Sequence, residues 1–288
     1  MNKKPLVQYG WLRALLFVLL GFPLTFVIGF SIDLLLNGVY AYDYAVGVVP
    51  ITSYLQDYLM KFSGFILIIF LFRIVIDKSS FYSLGFEWKR FQTDAWTGFF
   101  TALMILFVGS LILVSTQHLY FTNAFFNSTQ FFAGVALFIS VAFIEELVFR
   151  GYLLNNLLQS INKWWALILT SVLFAVLHLN NNNINLLSVL NVFIAGLVLG
   201  INYIHTRNLL FAIFFHFGWN FFQGSVLGYN VSGIETGSCI LQQKLIGSQT
   251  LTGGAFGFEG SVICTILLLA VFIVFAVRYH KQKPLTQN

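Results

Sequence analysis

Phe143-Ile144-Glu145-Glu146-Leu147-Val148-Phe149-Arg150 stands inside a long apolar run, Phe131 to Leu158. That run predicts a membrane-embedded helix. An ionisable side chain near the middle of a bilayer is costly, so it is normally paired and turned toward a polar interior. Two adjacent carboxylates and an arginine in such a helix therefore demand partners elsewhere in the chain.

Composition sets the class. Of 288 residues, 58% are hydrophobic, 18% are aromatic and 9% are charged, with a mean hydropathy of +0.84. Soluble domains carry roughly 25% charged residues. The chain therefore reads as an all-α polytopic membrane protein, forming one membrane domain over 1–288 with the lipid bilayer as its solvent. The net charge of +5 is small and scattered, which argues against a nucleic-acid partner. Cys239 and Cys264 make neither a disulfide framework nor a CxxC pair.

Eight transmembrane helices are expected. Lys3 and Lys4 precede an apolar run from Trp11 to Leu36 that is too long for a signal-peptide core, although Val39-Tyr40-Ala41 resembles a cleavage site. It reads as an uncleaved first span, kinked near Pro23. Further spans fall at about Tyr58–Ile76, Trp96–Ser115, Gln130–Leu158, Trp164–Leu179, Ile184–Ile204, Leu209–Leu227 and Ser261–Tyr279. An even number puts both termini on one side.

The positive-inside rule selects the cytoplasm for both termini of a cell-membrane protein. With that orientation Lys3, Lys4, Arg13, Arg73, Lys78, Lys89, Arg90, Arg150, Lys163, Arg207, Arg278, Lys281 and Lys283 fall at cytoplasmic ends and loops. Only Lys61 and Lys244 fall opposite. Lys78–Asp94 reads as a polar cytoplasmic loop. Leu179–Asn185 reads as an outer turn. Gly228–Gly260 is a long, Gly-rich outer loop, of a length that is often functional.

Helical spacing shows which residues could serve the glutamates. Glu146 and Arg150 are four apart and share a face, which allows them to pair. Glu145 is rotated by about 100° from Glu146 and points elsewhere. Phe174 and His178 share a face in the fifth span; His216 and Asn220 share one in the seventh. Glu145 lies roughly 22 Å of helix above the turn near Ser160, and His178 roughly 27 Å. His216 is only roughly 13 Å beyond Arg207. A common site therefore needs the seventh helix to start deeper or the others to tilt.

Taken singly, a buried histidine is usually a structural hydrogen-bonder, and a membrane Glu–Arg pair can simply lock two helices. Trp219 reads most simply as packing, and Asn191, Asn202 and Asn220 could each be interhelical glue. Taken together, a carboxylate, two imidazoles and an amide make a hydrolytic kit. A carboxylate in a low-dielectric cavity can act as general base toward water. Imidazoles can hold a metal or orient that water, and an amide can donate to an oxyanion. Other intramembrane protease designs do not fit: the chain has no HExxH, no GxSG, no GxGD and no aspartate after Asp94.

The ordered set Glu145-Glu146-x-x-x-Arg150, Phe174-x-x-x-His178 and His216-x-x-x-Asn220 resembles the CAAX-processing and bacteriocin-self-immunity (CPBP, or Abi) family of intramembrane proteases, with its core at about 130–225. Ser83-Leu84-Gly85-Phe86 and the Gly-rich loop also look like bacterial members. The resemblance implies an eight-helix fold and an intramembrane endopeptidase acting on a peptide or membrane-protein substrate. It implies Glu145 as the water-activating base, Glu146 supporting it through Arg150, and His178, His216 and Asn220 binding water, metal or oxyanion. It leaves two chemistries open. One uses a divalent metal such as zinc on Glu145, His178 and His216; the other uses glutamate alone. The rivals are a non-enzymatic immunity or scaffold protein and, with no inverted repeat to support it, a transporter.

Overall fold

The computed structural model describes residues 4–37, 51–235, 237 and 239–281. Lys3, Lys283 and Val39-Tyr40-Ala41 lie outside these residues, as does the side chain of Lys61.

The chain is a helical bundle built from α1 (Gly10–Leu35), α2 (Ile51–Val75), α3 (Trp88–Ser115), α4 (Ser128–Leu157), α5 (Lys163–Asn180), α6 (Leu186–Thr206), α7 (Leu210–Phe221) and α8 (Val262–Lys281). Among the described residues, the 7 helices other than α7 are long and apolar enough to cross a membrane. The 12-residue α7 continues through a π-helical turn, Phe222–Val226, so the crossing expected at Leu209–Leu227 is a short one. Asparagines start three of the helices. Asn127, Asn162 and Asn185 each accept a backbone N–H of the first turn, and Ser188 closes a reciprocal bond at Asn185. Outward faces carry Phe30, Phe107, Trp165 and Ile273, as lipid contact requires.

Three features depart from the sequence reading. α3 begins at Trp88, not Trp96: Lys89 and Arg90 are exposed while Phe91 and Ala95 are buried, so the later part of the expected Lys78–Asp94 loop is the amphipathic start of this helix. In α1 a π turn, Phe17–Gly21, sits just before Pro23, where the ring removes a backbone donor. A small sheet joins β1 (Leu119–Ala124) to β2 (Leu241–Leu245), antiparallel, with Leu119 opposite Leu245 and an irregularity between Phe121 and Asn123.

Loop contacts show the alternation of the helices. At one end, the β1–β2 pair ties the end of α3 to the loop after α7, and Asn181 Nδ2 donates to the Ser232 carbonyl of that loop. At the other end, α1, α2 and α4 meet around Asp77. Arg73 donates to it at 2.7 Å, Arg13 at 3.4 Å and the Tyr152 hydroxyl at 3.3 Å. Arg13 and Arg73 are thus buried ion-pair members as well as contributors to the positive-end bias.

The depth of α7 is set at that second end. Gly85 has φ +118, and its carbonyl accepts the Leu209 N–H at 2.8 Å. The Tyr203 hydroxyl donates to the Leu84 carbonyl at 2.9 Å. The Ser83–Phe86 loop thereby clamps the turn between α6 and α7 inside the bundle, and Leu209 packs beside Gly151. His216 is seven residues beyond Leu209, roughly 10 Å of helix; Glu145 is six residues before Gly151, roughly 9 Å. The height mismatch in the sequence reading disappears because α7 starts deep. A Cβ at Gly85 would lie 2.9 Å from Asn208 Cα, at a φ that L residues rarely adopt. Gly85→Val is therefore expected to lower stability by about 1–3 kcal/mol, read as a lowered thermal midpoint in detergent.

Candidate active site

The motif residues come from α4, α5 and α7. α4 is regular α-helix to Glu146 and then runs as π-helix over Leu147–Leu154. π segments within α-helices are frequent at functional sites. Glu146 is fully buried, and its Oε1 accepts from Arg150 Nη1 at 2.9 Å and from His216 Nδ1 at 2.8 Å. Arg150 reaches on to the Gly196 carbonyl of α6 at 2.9 Å, and its guanidinium lies 4.8 Å from the centre of the Phe174 ring. A Cβ at Gly196 would lie 2.9 Å from Ser171 Cβ, so glycine there lets α5 and α6 approach closely.

His216 joins the two carboxylates. A carboxylate accepts, so Nδ1 carries a proton toward Glu146 and Nε2 is directed to Glu145, whose Oε2 lies 4.0 Å away. Glu145 is part-exposed, unlike its neighbour, as the helical phase predicts. One oxygen of each glutamate, Oε2 in both cases, is buried without a hydrogen-bond partner, and so is the hydroxyl of Tyr58 on α2.

Beside this cluster lies a small cavity of about 40 Å³, lined by Phe174, His178, His216, Trp219, Asn220, Ser232 and Glu259 among others. His178 Nδ1 donates to the Phe174 carbonyl at 2.7 Å, which leaves Nε2 as its uncommitted nitrogen. Asn220 is buried, and its amide makes no hydrogen bond among the described residues. Phe174 is more than filler: it packs on His178, covers Arg150 and accepts the histidine proton. Trp219, read from sequence as packing, donates its indole N–H to Glu259 at 2.9 Å. Glu259 and Tyr58 were not legible as site residues, since each is a single polar residue with no motif around it. Asn191 and Asn202 are indeed interhelical ties. Asn191 holds the Glu259 and Ser261 carbonyls, and Asn202 holds Asp94 and Tyr279.

The metal option meets a geometric test. Two histidines with uncommitted Nε2 atoms and a carboxylate are chemically suited to zinc. Among the described residues, however, no group of three His, Cys, Asp or Glu side chains is gathered closely enough to hold an ion. Glu145, His178 and His216 do not form a metal cage in this arrangement, and no step below is routed through one.

Fold and centre together define a class: a polytopic helical membrane protein with a buried Glu–Arg–His cluster opening on an intramembrane cavity. Residues 127–222 match the family model described as type II CAAX prenyl endopeptidase Rce1-like, a range that holds Glu145, Glu146, Arg150, His178, His216 and Asn220. The match covers about a third of the chain, and over that range the chain is similar to the CAAX-type endopeptidases that its motifs resemble. No curated protein and no solved structure matched the chain.

Proposed function

We propose that the protein is an intramembrane endopeptidase that hydrolyses its substrate with water activated by Glu145. The observation that carries this reading is His216 spanning both carboxylates, at 2.8 Å from Glu146 and 4.0 Å from Glu145, at the wall of the cavity. A separation of 4.0 Å is too long for a direct hydrogen bond and suits an intervening water.

In this scheme Glu145 takes a proton from that water as its oxygen forms a bond to the scissile carbonyl carbon. The Asn220 amide donates to the oxyanion. His216, charged and oriented by Glu146, returns a proton to the amide nitrogen as the C–N bond breaks. An imidazolium there brings the sum of two carboxylates, one guanidinium and one imidazole to neutrality. Arg150 holds Glu146 in place through the 2.9 Å ion pair. His178, with Nδ1 committed to Phe174, offers Nε2 as an acceptor that orients the water.

The core at 130–225 works within one membrane domain, with both termini in the cytoplasm of a cell-membrane protein. The substrate is a peptide or membrane-associated protein chain that reaches the site from the bilayer. The reading is tested with the full chain in lipid nanodiscs and a quenched-fluorescence peptide library. Asn220→Ala is expected to lower kcat about 10²–10³-fold with little change in KM, as removal of one oxyanion donor does. Unchanged kcat would remove Asn220 from the chemistry, and cleavage of no peptide by the wild type would count against the hydrolase.

A further inference from the structure

Glu259 is a carboxylate that lines the cavity itself, outside the residues of the three motifs. It comes from the Gly-rich segment that closes the loop between α7 and α8. Its Oε1 accepts from Trp219 at 2.9 Å, and its Oε2 accepts from the Ser232 backbone N–H at 2.7 Å and hydroxyl at 2.9 Å. Its backbone carbonyl accepts from Asn191 Nδ2 at 2.7 Å. Phe258, beside it, is fully buried and fills the space that Gly109 leaves on α3. At Gly257, with φ +106, the chain passes against the Asn230 carbonyl, a turn that suits glycine alone. The carboxylate is therefore held from three sides and cannot swing away.

What holds it is neutral. No cation pairs with Glu259 among the described residues, and none of its interactions goes unaccounted for. Glu259 is part-exposed and stands at a cavity walled by Phe174, Phe215 and Trp219. Each carboxylate oxygen can still accept further bonds, and aromatic faces attract organic cations. Fixed negative charge combined with aromatic walls is the chemistry that recognises an ammonium or guanidinium group.

We propose that Glu259 is a specificity-determining residue, seating a positively charged group of the substrate in the wall of the cavity shared by His178, His216 and Asn220. Glu259 is linked through Trp219 to the helix that carries His216 and Asn220, so the cation belongs to a residue near the scissile bond. Its source is either a lysine or arginine side chain or a free α-amine. The inference rests on the hydrolase reading for the word substrate, but its test does not need turnover.

The test measures binding of labelled peptides to the full chain in nanodiscs, in a Glu145→Gln background that blocks cleavage. One peptide pair differs as lysine against norleucine; a second differs as free against acetylated N-terminus. In at least one pair the charged peptide is expected to bind about tenfold tighter, the size of one charge-assisted hydrogen bond or more. The pair that responds identifies the source of the cation. Glu259→Gln should bring that ratio to below about twofold, and Glu259→Asp, which keeps the charge, should retain most of it. Equal binding of charged and neutral peptides in both pairs would overturn the proposal, as would a preference that survives Glu259→Gln. A cation preference found in a protein that cleaves nothing would sink the hydrolase reading and leave the cation seat standing.

Discussion

Glu145→Gln is expected to lower peptide hydrolysis about a thousandfold, within the roughly 10²–10⁴-fold range of general acid–base catalysis. The amide has the shape of the carboxylate but cannot take a proton from water. Glu145 is part-exposed, lies 4.0 Å from His216 and makes no side-chain hydrogen bond among the described residues, so its replacement disturbs no short bond. The thermal midpoint should therefore stay close to that of the wild type while turnover collapses. A variant that kept its rate would remove Glu145 from the chemistry. A variant that lost rate and stability in parallel would assign the residue a packing role.

Arg150→Met carries the largest stability effect. It leaves the fully buried Glu146 carboxylate with His216 as its remaining partner, and it also strips the Gly196 carbonyl and the Phe174 face of their cation. Breaking one side of a buried ion pair typically costs about 3–5 kcal/mol, because the other charge stays uncompensated. Replacing both partners, as Glu146→Gln with Arg150→Met, should recover part of that loss while leaving His216 without its orienting charge. Thermal unfolding in detergent separates the cases. Equal stability of Arg150→Met and wild type would show that Glu146 does not depend on the guanidinium.

The helical phase of Glu145 and Glu146 was legible in the sequence because α4 stays a regular α-helix up to Glu146. One carboxylate turns to Arg150 and the other toward His216 Nε2, as a rotation of about 100° per residue requires. The π segment beyond them, Leu147–Leu154, left no signature, since all of its residues are buried and it has no polar face whose phase could shift. The depth of His216 could not be read by counting residues from Arg207. Counting assumes that a helix begins at the membrane edge, whereas the clamp at Gly85 begins α7 within the bundle. The β1–β2 pair was hidden for a related reason: its two strands are short, and more than a hundred residues of chain separate them. Glu259 falls within the long Gly-rich stretch Gly228–Gly260, where no motif marks it. Its role depends on Trp219 and Ser232 reaching it across the fold, which spacing along the chain does not reveal.

The central claim is that water activated at Glu145 breaks a peptide bond in this cavity. Its most direct test is turnover in heavy-oxygen water, with the new C-terminal carboxyl analysed by mass spectrometry in membranes holding matched amounts of each variant. The wild type is predicted to place one solvent oxygen in that carboxyl, and Glu145→Gln and His216→Ala are predicted to yield almost no labelled product. Labelled product at wild-type rates from both variants would contradict the account.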